Sequence, residues 1–248
     1  MKILTKLFFL LFFITALTVH ADTEKPLLGA TLNWEPYIGV SLPEEGYVAQ
    51  IVREAFAAGG GYTLDIEFMA WTWVVALAGS GRYDFYFPEY YDAKLEENFL
   101  LSDPIPGGPL AFFKRATDHI AYKNLQDLKP YKIGVVRGYV NTPEFDAAHY
   151  LTKVESMRDI DNIQKLLSGS VDLIVTDQYV GLYILRTQMP ERMKDVTVIT
   201  PPLEIKDLYV CIPKNARNAN ERMQAFNLGL QQLKDSGRIR EIIASHGF

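Results

Sequence analysis

Val171-Asp172-Leu173-Ile174-Val175-Thr176-Asp177-Gln178-Tyr179 is the stretch whose reading decides the architecture. Residues 171–176 read as a buried strand, Asp177 ends it, and a helical pattern runs from Gln178 to Arg186. A strand handed straight to a helix is the building unit of parallel sheets covered by helices. The same alternation recurs on either side. Before it lie a strand at 131–136 and helices at 143–150 and 160–167. An earlier series begins with a strand at 27–33. A helix follows at 46–58, with Val48, Ile51, Val52, Ala55 and Phe56 on one face, stopped by Gly59-Gly60-Gly61. A strand at 63–68, a helix at 71–78, the turn Gly79-Ser80-Gly81 and a strand at 83–87 complete that series. Residues 218–245 are expected to form one long helical tail. Two such series in 248 residues predict an α/β chain of two lobes. The strand-like stretches Phe112-Phe113-Lys114-Arg115 and Leu208-Tyr209-Val210-Cys211-Ile212 are the expected crossings. Lobe one then combines 26–113 with 209–248, lobe two is 114–208, and a small ligand belongs in the cleft between them.

Composition narrows the function. The chain is 48% hydrophobic and 22% charged, an ordinary globular balance. Twenty-five basic residues against 30 acidic ones give a net charge of −5, which argues against nucleic acid or an anionic membrane as the main partner. Four histidines and one cysteine exclude a disulfide framework and a dense metal site, and no cofactor is expected. His119, His149 and His246 are scattered without ligand spacing. Cys211 lies in an apolar run and is expected on a buried strand; no G-x-S-x-G elbow is present. Gly79-Ser80-Gly81 is too short for a phosphate loop, and Asp159, Asp161 and Asp172 read as cap or surface residues.

The first 21 residues carry Lys2 and Lys6, an apolar run from Leu7 to Ile14, and Val19-His20-Ala21. A basic start, a short apolar run and small residues at the −3 and −1 positions predict a cleaved secretory signal over 1–21, a mature start at Asp22, and a periplasmic protein. The apolar run, about a dozen residues, falls short of the ~20 needed to span a bilayer, so the protein is not expected to be embedded in a membrane.

Six pieces of sequence then resemble one family in the right order. They are Trp34-Glu35-Pro36-Tyr37 followed by Gly46-Tyr47; Trp71, Leu77 and Gly81-Arg82-Tyr83-Asp84; Leu101-Ser102-Asp103-Pro104-Ile105; Ile133-Gly134-Val135-Val136-Arg137-Gly138; Leu166-Leu167-Ser168-Gly169-Ser170-Val171-Asp172 with Asp177; and Leu233-Lys234-Asp235-Ser236-Gly237-Arg238-Ile239. Together they resemble the bacterial extracellular solute-binding proteins of family 3, the amino-acid-type periplasmic binding proteins. The resemblance implies a two-lobed periplasmic-binding-protein fold of type II with two interlobe crossings. It also implies a small-molecule ligand, and an inner-membrane ABC permease or a sensor as partner.

It further implies site residues. Trp34 falls on the family aromatic that stacks on the ligand, and Trp71 on the second. Trp73 and Tyr37 read as packing or rim residues. Tyr86, Phe87, Glu89, Tyr90 and Tyr91 form an aromatic and acidic wall, from which Tyr86, Glu89 and Tyr91 are carried forward as ligand candidates. Asp177 falls where the family receives a ligand ammonium, and it also suits a helix N-cap. In lobe two, Gly138 and Asn141 belong to the loop before Pro143 that offers free N–H groups, with Thr142 as an alternative cap. One departure stands out. The family's carboxylate-clamping Arg is replaced by Leu95, counting from Asp103, or by Glu96, counting from Asp84. Neither can act as a bidentate guanidinium. Lys94, Arg137 or Lys114 would have to supply a relocated charge. The expected ligand is therefore amine-bearing or amino-acid-like, held without turnover. The alternatives are a periplasmic enzyme resembling cyclohexadienyl dehydratase, with Glu89 or Glu96 as acid, and an orphan cleft protein acting through protein partners.

Overall fold

The computed structural model describes residues 25–248, so the leader over 1–21 lies outside the described residues. The first sheet starts with β1 (Leu27–Thr31) and, after helix α1 (Tyr47–Gly60), β2 (Leu64–Phe68). Helix α2 (Trp71–Gly79) leads to β3 (Phe85–Glu89), and β4 (Phe99–Leu101) follows. β1 lies between β2 and β3, parallel to both. All five residues of β3 are buried, as expected for a strand covered on both faces.

The second sheet opens with β5 (Pro109–Arg115) and continues through β6 (Lys132–Val136), α3 (Pro143–Ala147), β7 (Thr152–Ser156), α4 (Asp159–Leu167), β8 (Leu173–Asp177) and α5 (Gln178–Gln188). β6 is parallel to β7 and β8, and β5 runs antiparallel to β8. The short strands β9 (Val196–Val198) and β10 (Glu204–Ile205) pair with the outer edge of β5. The chain then returns to the first sheet as β11 (Tyr209–Pro213), inserted antiparallel between β3 and β4. Helices α6 (Ala219–Asp235) and α7 (Arg238–Ser245) close the fold. α6 lies directly on α1, where a Cβ placed on Gly229 would stand 1.9 Å from the Ala55 carbonyl oxygen. Among the described residues no helix is long and apolar enough to cross a membrane.

Two expectations are corrected. The first crossing precedes β5, because Leu110 to Lys114 pair residue by residue with β8 in the second sheet. The two interlobe passes meet at a bridge between Ile105 and Leu208. The tail is two helices rather than one. Gly237 adopts φ +79°, a left-handed conformation that ends α6 and turns the chain into α7.

Candidate functional site

The turn after β1 is pinned by backbone bonds between Trp34 and Ile38, which bring the Trp34 and Tyr37 rings into a stack at 4.8 Å. Tyr90, just past β3, meets Trp34 edge-on at 5.8 Å. From the second lobe, the loop after β6 sends Tyr139 between the two tryptophans, edge-on to Trp34 at 6.5 Å and to Trp71 at 5.9 Å. Trp71 Nε1 crosses the lobes to donate to the Gly138 carbonyl at 3.0 Å. The space left between Trp34, Trp71, Tyr90 and Tyr139 is about 30 Å³, room for about one water. The protein's own side chains thus occupy the gap between the two tryptophans.

Asp177 lies beside this cluster, only 2% exposed at the end of β8. Its carboxylate caps α5 by accepting from the backbone N–H groups of Tyr179 (2.8 Å) and Val180 (3.2 Å). It also accepts from the Tyr37 and Tyr90 hydroxyls of the first lobe, each at about 3 Å. Burial pushes its carboxyl up to about 6, against the pull of these four donors.

A larger cavity of about 560 Å³ opens next to the tryptophans. Its walls come from both lobes: residues 32–35 after β1 and 68–71 between β2 and α2 on one side, Tyr139, residues 157–160 and one face of α5 on the other. Asp159, the first residue of α4, is 5% exposed on this wall. It accepts from Thr176 Oγ1 at 2.7 Å and from the Tyr139 hydroxyl at 3.2 Å. Burial raises its carboxyl above the ordinary range, while the two hydroxyls and the nearby Trp34 indole oppose the shift. The Trp34 Nε1 hydrogen makes no hydrogen bond although it is buried. Asp159, read from sequence as a cap or surface residue, is therefore corrected to a buried wall of the cavity. The missed signal is its place at the start of an amphipathic helix beside a cleft.

No family model matches the chain, and no curated protein matches its sequence. Solved structures do match its fold. A histidine kinase sensor domain with similarity to periplasmic binding proteins superposes with a TM-score of 0.79 at 20% identity, covering 91% of this chain and 97% of that one. The GluR0 ligand-binding core from Nostoc punctiforme, in complex with L-glutamate, gives 0.72 at 19% identity, over 90% of this chain and 99% of that one. An ancestral arginine-binding protein bound to arginine gives 0.74 at 22% identity, over 91% of this chain and 100% of that one. This chain has the two-lobed periplasmic-binding-protein fold.

Within the periplasmic-binding-protein fold the remaining candidates take different places. Glu89 is 5% exposed at the end of β3 but lines neither of these cavities. It accepts from the Tyr90 N–H at 2.9 Å and from the Tyr86 hydroxyl at 3.3 Å, and burial pushes its carboxyl up to about 8. Tyr86 is fully buried beneath Trp71, and buried Cys211 pairs opposite it in β11. Tyr91 turns to the surface, where its hydroxyl bonds Glu96. Asn141 is buried, with its side chain and backbone N–H both held by Asp146, away from the cavity wall. Thr142 caps α3. None of the relocated-charge candidates reaches the cavity. Lys94 is exposed, Arg137 pairs with Glu155, and Lys114 bonds the Asp118 carbonyl. The buried cation near the cluster is Lys206, whose ammonium lies 5.2 Å from the Tyr90 ring centre and 3.2 Å from a Glu204 oxygen. Sequence reading passed over it because it sits in a polar loop and is buried only by the interlobe passes.

Proposed function

We propose that this chain is a solute-binding protein of the family 3 type, which captures a small polar organic molecule between its lobes without turning it over. The observation that carries this reading is the cavity of about 560 Å³ walled by both lobes, within the range of small-molecule sites. The fold neighbours support it, since they bind L-glutamate or arginine or serve as a kinase sensor domain. The closed form is then presented in the periplasm to an ABC permease or a sensor. We take lobe one as 25–101 with 209–248 and lobe two as 109–205, with the two passes around Ile105 and Leu208 as hinge. Binding without catalysis is favoured by the fate of the acids: Glu89 is walled off from the cavity, and the nearest guanidinium, Arg158, is paired with Asp161 at 2.7 Å.

The test is a thermal-shift screen of the purified protein against amides, amines, amino acids and organic acids, followed by calorimetry. One-to-one binding, weakened by Ala70→Trp, which fills the rim of the cavity, is the expected result. Chemical conversion of the bound compound would replace this reading with the enzymatic one. Failure of every class to bind would overturn capture.

A further inference from the structure

The polar groups on the cavity wall define a ligand chemistry that differs from that of a free amino acid, and this inference rests on the capture reading above. Asp177, the acid placed to receive an ammonium, has two phenol O–H and two backbone N–H donors already on its carboxylate. The polar groups with capacity left are elsewhere. Trp34 is 7% exposed, its indole nitrogen can only donate, and it has no acceptor. Asp159 lies beside it on the same cavity wall, near enough for the indole to favour its carboxylate, and holds two hydroxyl donors on a group that accepts about four. One buried donor and one buried acceptor therefore stand side by side. The wall around them is mixed: Leu32, Phe68, Met69, Ile160 and Ile184 offer apolar surface, and Asn33, Glu35, Arg158 and Gln188 stand among them.

Each simple charged group leaves one of the pair unsatisfied. An ammonium serves Asp159 but gives the Trp34 N–H nothing to donate to. A carboxylate accepts from Trp34 but lies against the Asp159 carboxylate, with Glu35 also on the wall and Arg158 already paired with Asp161. A buried polar group left without a partner costs about 1–3 kcal/mol, which is the source of discrimination. We propose that this cavity binds an uncharged group with an acceptor beside a donor, the C=O and N–H of an amide or lactam, carried on a flat apolar ring. The carbonyl accepts from Trp34 Nε1 and the N–H donates to Asp159.

Three ligands sharing one ring separate the cases: naphthamide, naphthoate and naphthylmethylamine, titrated calorimetrically into the purified protein at neutral pH. We expect naphthamide to bind about tenfold or more tightly than either of the others. Trp34→Phe, which keeps an aromatic ring and removes the N–H, is expected to weaken naphthamide about tenfold while leaving naphthylmethylamine within about twofold. The wild-type ranking stands as evidence even where that variant folds poorly. Equal or tighter binding of the amine or the carboxylate overturns the assignment, as does naphthamide binding that a folded Trp34→Phe leaves unchanged. If all three fail while another compound binds the cavity, the ligand class is wrong and capture stands. If nothing from the wider screen binds either, both are lost.

Discussion

The Tyr37 hydroxyl lies 3.0 and 2.9 Å from the two carboxylate oxygens of Asp177, and this bond joins the first lobe to the second. Tyr90 adds a second phenol from the same side. The acid that ends β8 and caps α5 therefore also fastens the lobes. Any parting of the lobes has to break that contact.

Tyr37→Phe removes one donor from a buried carboxylate without changing the ring. A hydrogen bond to a charged group is worth about 1.5–3 kcal/mol, so the variant should lose roughly that much on denaturant unfolding. Its scattering radius should also grow as the lobes part. A variant as stable and as compact as the parent would show that the bond does not hold the lobes.

Trp71→Phe should lower stability by about 1 kcal/mol by removing the 3.0 Å bond to the Gly138 carbonyl. If both contacts hold one closure, the double variant with Tyr37→Phe will depart from additivity by about 0.5 kcal/mol or more. Strict additivity would mean that the two contacts act independently.

Glu89 predicts a pH dependence. Burial holds its carboxyl at about 8 against 4.5 in an unfolded chain, so the folded protein keeps a proton that the unfolded one releases. Its contribution is full below pH 4.5 and is lost as pH rises through 8. Asp177 acts in the same direction over a lower window, between 3.8 and about 6. Glu89→Gln, neutral throughout, should flatten the upper part of this decline. Above pH 8 it should exceed the parent by on the order of 1–3 kcal/mol. Parallel stability curves for the two proteins would place the titration elsewhere.

Gly229→Ala tests the α1–α6 contact. The new methyl would stand 1.9 Å from the Ala55 carbonyl oxygen, and backbone must move to admit it. The expected loss is at least about 2 kcal/mol. Gly79→Ala, whose methyl meets only Phe99 at 3.8 Å, serves as the tolerated control. Equal midpoints for both variants would refute the close approach.

What the sequence determined by itself is what neighbouring residues decide. The run from Val171 into Gln178 makes a strand pass directly to a helix, and Asp177 at that junction caps α5 because its carboxylate is within reach of the next backbone N–H groups. The alternation of such units marks two α/β lobes, and Trp34 and Trp71 are visible as aromatic candidates. Boundaries were less legible: Phe112 to Arg115 looks the same whether it crosses between lobes or pairs within one, and only the partner strand β8 settles it. The tail shows a continuous helical pattern, yet the left-handed backbone at Gly237 divides it. Tertiary structure alone decided the character of the site. Asp159 reads locally as a helix-start acid and became a buried wall beside Trp34. Tyr139 reads as a loop residue and became the ring between two tryptophans. The capacity left on Asp177 depends on Tyr37 and Tyr90, which are remote in sequence and reach it from the other lobe. Hydrogen-bond capacity is exhausted by whatever lies near in space, and a linear pattern does not carry that information.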